Sequence, residues 1–205
     1  MDSHRRVELV EIIDQQSRHL GAIVTDLVDV ARDRLSSTDL QIESLDLGQV
    51  ITDSRNMLPE SVDAKIELNM QVEPRLCVSG DRRRVTQVLV NLFTNAIRYG
   101  RGLAEVQAFA RDGRVIVEVH DNGLGVPKRY EEAIWERFER GAHRLDSTIP
   151  GSGIGLPIAR SLVEAHKGTI DYQTSGRLGG ACFTVSLPRQ TVAVEHEAEP
   201  ISSPA

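Results

Sequence analysis

Residues 81–99, DRRRVTQVLVNLFTNAIRY, carry Val85, Val88, Leu89, Leu92, Ala96 and Ile97 at steps of one, three and four. That spacing draws an apolar stripe along one face of a helix that Asp81 opens and that runs to about Tyr99. Two asparagines interrupt the pattern. Asparagine is a poor helix-interior residue because its amide competes for backbone hydrogen bonds, yet Asn91 and Asn95 stand four apart, with both amides on one face. Arg98 lies one turn beyond Asn95, and Tyr99 follows beside the same face. An amide oxygen is a hard ligand suited to magnesium, and a guanidinium suits phosphate. Taken alone, the cluster also fits the solvated face of an amphipathic helix.

Outward from this helix the periodicity changes. Ala104–Ala110 and Val115–Val119 alternate apolar and polar residues as strands do, and Asp112-Gly113 between them is a hairpin signal. Residues 121–155 are rich in glycine and charge and read as a long functional loop, with a short helix around Glu131–Phe138. Pro157 marks the first turn of a helix to about His166. Thr169–Thr174 and Ala181–Leu187 form a second hairpin around Gly176, Gly179 and Gly180. Upstream, Asp46 caps a helix over Leu45–Leu58 that Pro59 stops, and Ile66, Leu68, Met70 and Val72 alternate as a half-buried strand.

The ends differ from this middle. In the first 35 residues Leu9, Ile13, Gln16, Leu20, Ile23, Leu27 and Val30 follow each other at steps of four and three, the stripe of one long helix that asks for a bundle or coiled-coil partner. The reading divides the chain into that helix (1–35), a polar linker (36–44), a domain of helices and antiparallel strands (45–188) and an acidic, aperiodic, disordered tail (189–205). The fold class is α+β in two layers, with an N-terminal helical appendage.

Composition narrows the function. The 205 residues hold 24 Lys plus Arg against 30 Asp plus Glu, a net charge of −6 that argues against a general nucleic-acid binder. Aromatic residues are 4% of the chain, too few for stacking platforms. Cys77 and Cys182 lie far apart in apolar, strand-like contexts and read as reduced core residues. No run approaches the roughly 18 apolar residues of a membrane span, and the start lacks a signal peptide, so the expected location is cytoplasmic, including the cytoplasmic part of a membrane-anchored sensor.

Two further clusters carry chemistry. Asp121-Asn-Gly123-Leu-Gly125 follows a strand directly, where a carboxylate can accept from an exocyclic amine and glycines let backbone approach a flat ligand. Gly151-Ser-Gly153-Ile-Gly155-Leu156-Pro157 runs into a helix, whose first N–H groups and dipole favour an anion. It is neither the dinucleotide fingerprint, since position 156 is Leu, nor a Walker loop, since no Gly-Lys-Ser/Thr follows. An ordinary turn explains the first of these clusters as well when it stands alone.

In this order and at these separations, the three clusters resemble the Bergerat-type ATP-binding fold of gyrase B, MutL, the large heat-shock chaperones and sensor histidine kinases. The resemblance is nearest to the catalytic domain of the histidine kinases, over roughly residues 45–188: residues 81–99 are similar to that family's N box, Asp121–Gly125 to its G1 box, Trp135–Arg140 to its F box and Gly151–Leu156 to its G2 box. The resemblance implies a two-layer α/β sandwich with a mixed, largely antiparallel sheet. It implies that ATP and Mg²⁺ are bound, with Asn91 ligating the metal between the phosphates and Asn95 beside it. Arg98 would touch phosphate and Tyr99 lie against the adenine. Asp121 would accept from the adenine amino group in a pocket shaped by Gly123 and Gly125. Arg140 would reach the γ-phosphate from a lid over about 140–151 that Phe138 holds, and Gly151, Gly153, Gly155 and Leu156 would form its hinge and phosphate loop. The catalytic pair would be Asn91 and Arg140, and Arg137 and Arg144 would add to the local basic set.

The resemblance fails at one place. The family's phosphoacceptor motif, a histidine followed by an acidic residue on the preceding helix, has no counterpart here. The stripe ending at Leu27–Arg32 resembles only the second helix of the family's dimerisation hairpin. His4 lacks the acidic neighbour, His19 is embedded in the stripe, and His143 and His166 read as lid and surface residues. The chain is therefore expected to be a truncated or split kinase that passes the γ-phosphoryl group to a histidine on a missing helix or another chain, for relay to a response-regulator aspartate. A completed hairpin would make it a homodimer. The alternatives are an anti-sigma-factor-type serine kinase, which generally lacks the bundle helix, and a nucleotide-binding module without catalysis.

Overall fold

A computed structural model describes residues 40–58, 67–136, 153–175 and 177–190. The N-terminal stripe, His4, His19, His143, Pro59 and the segment 137–152 lie outside the described residues.

Strand β1 (Glu43–Asp46) leads directly into helix α1 (Leu47–Asn56). Asp46 caps α1, its Oδ1 accepting from Gly48 N at 2.9 Å and Gln49 N at 3.3 Å. Strands β2 (Glu67–Val72) and β3 (Cys77–Gly80) follow, and then the long helix α2 (Arg82–Tyr99). Asp81 caps α2 through Oδ1, which accepts from Arg84 N at 3.1 Å. Strands β4 (Leu103–Arg111) and β5 (Arg114–Asp121) form the hairpin expected at Asp112-Gly113. Both turn residues have left-handed backbone, with φ of 49° and 72°, as a type I′ turn requires. Helix α3 (Gly155–Ala165) and strands β6 (Thr169–Thr174) and β7 (Ala181–Pro188) complete the order.

The main sheet has the order β2-β4-β5-β7-β6, with β2 parallel to β4 and the other neighbours antiparallel, which is the mixed, largely antiparallel sheet of an α+β sandwich. Val106 and Ala108 of β4, Val115, Val117 and Val119 of β5, and Val185 and Leu187 of β7 alternate onto the face that buries Leu89, Leu92 and Phe93 of α2 and Leu162 and Val163 of α3. β1 and β3 pair separately as a two-stranded antiparallel sheet.

Five expectations are corrected. Residues 43–46, read as the end of the linker and the start of the helix, are a strand, because pairing with β3 satisfies their backbone groups. The helix expected around Glu131–Phe138 is, over its described part, a 3₁₀ turn at Ala133–Trp135 after another at Lys128–Tyr130. Arg189 and Gln190 are held to the fold rather than in the tail, donating to Gly113 O at 3.0 Å and Cys77 O at 2.8 Å. Met70 is exposed despite its place in an alternating run. His166 is buried, not a surface residue. Its Nε2 accepts from Asp81 N at 2.9 Å and its Nδ1–H donates to Leu162 O at 2.7 Å, so it ties α3 to the start of α2.

Candidate functional site

The C-terminal half of α2, the end of β5 and the start of α3 converge. Asn91 occupies the half-buried face of α2, where its Nδ2 donates to Gly155 O at 3.1 Å. That bond orients the amide and leaves Oδ1 as its remaining acceptor. A Cβ at Gly155 would stand 3.6 Å from Oδ1, in ordinary contact with the amide, so the first residue of α3 lies directly beside Asn91. Gly153, with φ of 70°, is in the left-handed region that favours glycine. The residue capping α3, Ile154, supplies no side-chain hydrogen bond to the first turn, whose N–H groups are thus uncapped by it. Asn95, Arg98 and Tyr99 continue along α2 as half-buried residues, and Leu156 packs against the core from the second position of α3.

At the end of β5 Asp121 is buried. Its Oδ1 accepts from Gly123 N at 2.8 Å and Ala181 N at 3.1 Å. Among the described residues no group donates to Oδ2. Burial pushes the Asp121 carboxyl above its ordinary value, against the opposing pull of the two N–H groups and His120. The carboxylate is therefore oriented by one oxygen and has an acceptor to spare on the other.

Three glycines make this possible. A Cβ at Gly123 would fall 2.2 Å from Tyr99 O, so only glycine lets the loop after β5 lie against the end of α2. Gly125 has φ of 65°, and a Cβ there would press on Gly180 O and the Tyr172 hydroxyl. A Cβ at Gly180 would meet Asp121 Oδ1 at 2.3 Å. Gly180 and the Ala181 N–H are thus site elements that sequence reasoning assigned to a hairpin turn. The Gly179-Gly180 doublet before a strand was the only signal, and a turn explains it equally well. Tyr172 was also missed: its hydroxyl accepts from Val126 N at 2.8 Å and pins the same loop.

The expected site residues thus gather as two sets. Asn91 with Gly153 and Gly155 makes one; Tyr99, Asp121, Gly123 and Gly125 make the other. α2 joins them and places Asn95 and Arg98 between. Arg140, Phe138 and Gly151 lie outside the described residues, as do Arg137 and Arg144. Trp135, at the threshold of that segment, packs edge-on against Phe183 of β7, centroids 6.1 Å apart, beneath the Arg160 guanidinium of α3.

Known proteins resemble the chain in sequence and in fold. The sequence profile of the family described as histidine kinase-, DNA gyrase B-, and HSP90-like ATPase matches residues 80–191. The chain is 36% identical to the sensor protein KdpD of Escherichia coli K12 over 181 residues, 87% of this chain and 20% of KdpD. It is 34% identical to the sensor protein SphS of Synechococcus elongatus, over 85% of this chain and 45% of SphS. The chain therefore spans less than half the length of these curated relatives. Among solved structures it is similar to full-length ShkA in complex with AMPPNP, with a TM-score of 0.73 and 26% identity over 94% of this chain and 40% of that one. It is also similar to the mycobacterial sensor histidine kinase MprB, with a TM-score of 0.64 and 25% identity over 74% of this chain and 99% of that one.

Proposed function

Since the chain belongs to the histidine kinase-, DNA gyrase B- and HSP90-like ATPase family, we propose that it is the ATP-binding, catalytic portion of a two-component sensor histidine kinase. It presents the γ-phosphoryl group of ATP to a histidine supplied by another helix or chain, from which a response-regulator aspartate receives it. The observation that carries this reading is Asp121: a buried carboxylate, aimed by two backbone N–H groups, with Gly123 and Gly180 close against it and, among the described residues, no donor to its second oxygen. Such a group suits the amino edge of a flat base, and adenine offers that edge. ShkA, similar over 94% of this chain, was solved with AMPPNP, an ATP analogue.

The phosphates then extend toward Asn91 and the N-terminus of α3, where the first N–H groups and the helix dipole favour negative charge. Asn95 and Arg98 flank that path, and Arg140 completes the positive surroundings of the γ-phosphate. Mg²⁺ fits the donor set, because Asn91 Oδ1 is a hard oxygen ligand and this ion prefers one or two protein oxygens together with phosphates and water. When bound, the ion neutralises charge on the transferring phosphate. Tyr99, Gly123 and Gly125 bound the base pocket, and Leu156 follows Gly155 in the phosphate loop. Phosphoryl transfer depends mainly on positioning and charge neutralisation, which these residues provide.

Neither described histidine, His120 or His166, is an acceptor, since both are buried. The N-terminal stripe (1–35) serves in this reading as half of a dimerisation hairpin. Among the described residues no helix is long and apolar enough to cross a membrane.

The test is transfer of label from Mg-ATP, with the chain alone and with a fragment carrying a complete phosphoacceptor hairpin. The expected result is no label on the chain and label on the fragment's histidine, abolished by Asn91→Ala. Label on serine of a partner would favour the anti-sigma-factor-type kinase. Nucleotide binding without transfer to any fragment would favour a binding module.

A further inference from the structure

Val115, Val117 and Val119 of β5 face the helices, so Glu118 and His120 alternate onto the opposite face of the sheet. There the register sets His120 beside Cys182 of β7. His120 Nε2 lies 3.2 Å from Glu118 Oε2 and 3.8 Å from Cys182 Sγ, and the three ligand atoms all fall within 4.8 Å of one another. A tetrahedral zinc ion with bonds of about 2.0–2.3 Å has donor–donor edges of roughly 3.3–3.6 Å, and the two measured separations bracket that range.

We propose that Glu118, His120 and Cys182 form a site for a thiophilic divalent transition metal, zinc foremost, with the fourth position open to water or a further ligand. Thiolate, imidazole and carboxylate together select zinc-like ions over magnesium or calcium. The histidine is held as a metal ligand is held elsewhere: its Nδ1 lies 3.0 Å from the Ser175 hydroxyl, which can accept from Nδ1–H and so leave the Nε2 lone pair for the ion. Ser175 is itself fixed by Leu178 N–H, which donates to its Oγ at 3.1 Å. Access is graded. Cys182 is fully buried and the His120 side chain is 4% exposed, whereas the Glu118 side chain is 21% exposed and marks the way in.

Binding is a proton exchange. Without a metal the cysteine carries S–H at neutral pH. That bond breaks, the sulfur lone pair forms the metal–sulfur bond and the proton leaves to solvent. The site stands independently of the nucleotide reading. The simpler role for His120, a buried histidine satisfied by Ser175 and Glu118, predicts no bond between metal and thiolate.

Cobalt(II) is the probe, added to the purified, metal-stripped full chain without nucleotide. The expected result is one Co²⁺ per chain, with a near-ultraviolet thiolate-to-cobalt band and the intense visible bands of tetrahedral cobalt, displaced by Zn²⁺. Cys182→Ser removes the near-ultraviolet band and Cys77→Ser keeps it. Glu118→Gln, at a partly exposed position that leaves the core intact, weakens Co²⁺ binding about tenfold or more and keeps the fold if Cys182→Ser does not. A weak octahedral spectrum without a thiolate band overturns the proposal. So does a band that survives Cys182→Ser, or Co²⁺ affinity unchanged in Glu118→Gln.

Discussion

Asp121 shows how one side chain carries opposed demands. Its charged form is desolvated, which favours the proton, and two backbone N–H groups favour the anion, with burial the larger effect. The folded chain therefore holds this proton more tightly than the unfolded chain does. Stability from this group is greatest below the ordinary value of 3.8, falls as pH rises through it, and levels off above the raised folded value. Asp121→Asn keeps the acceptor for Gly123 and Ala181 but turns an N–H₂ donor toward the amino edge of the base. Nucleotide affinity is expected to fall at least about tenfold in calorimetric titration, at roughly 1.4 kcal/mol per decade. The melting temperature of the free protein at pH 7 stays level or rises, and loses less between pH 4 and pH 7 than wild type. Gly180→Ala is the complementary test. Its added Cβ displaces Asp121 Oδ1, so nucleotide affinity and stability both fall, the latter by about 1–3 kcal/mol in urea denaturation.

At the scale of elements, α2 is held at both ends by groups from distant parts of the chain. Its start depends on His166 of the α3 terminus, which accepts from Asp81 N, and on Gln41, whose N–H donates to Asp81 Oδ2 at 3.1 Å. Its end depends on Gly123 lying against Tyr99 O. His166→Ala leaves the Asp81 N–H buried without a partner and costs about 1–3 kcal/mol, read as a lower urea midpoint with an unchanged m-value. The Trp135 anchor follows the same logic. Trp135→Ala removes an edge-on contact with Phe183 and the face beneath Arg160. About 2 kcal/mol of stability is expected to go with it. Because this ring fixes the threshold of the segment that carries Arg140, phosphoryl transfer is expected to fall more than nucleotide binding, a split visible when transfer rate and affinity are measured on the same variant.

For the whole molecule, the two sets of site residues come from α2, β5, α3 and the loop before β7, so nucleotide binding spans most of the described core. A ligand that binds only the folded state adds about 2.7 kcal/mol at a hundred times its Kd. Mg-ATP is therefore expected to raise the melting temperature of wild type in a concentration-dependent way, and to raise that of Asn91→Ala and Asp121→Asn by half as much or less at the same concentrations. Scanning calorimetry over a nucleotide series measures this directly.

Much of this was legible in the chain itself. Helical spacing with two asparagines four apart, an Asp-Gly turn between alternating runs, and glycines before a helix are local patterns, and the backbone obeys local rules at each of them: α2, the β4–β5 hairpin and α3 lie where periodicity put them. Asn91, Asp121, Gly123 and Gly155 stood out as candidates for the same reason, because each combines an unusual residue with an unusual position. What spacing could not carry were contacts between residues far apart in sequence. β1 and β3 become strands by pairing with each other, a short match without internal periodicity. His166 is buried where its Nε2 accepts from the N–H of Asp81, 85 positions away. Gly180 and the Ala181 N–H join Asp121 through a closure across 60 residues, and His120 meets Cys182 only through the register of β5 on β7. Local sequence determined the elements and the chemistry they carry. Tertiary structure decided which of those groups face one another, since burial and hydrogen-bond satisfaction are settled only when distant segments pack.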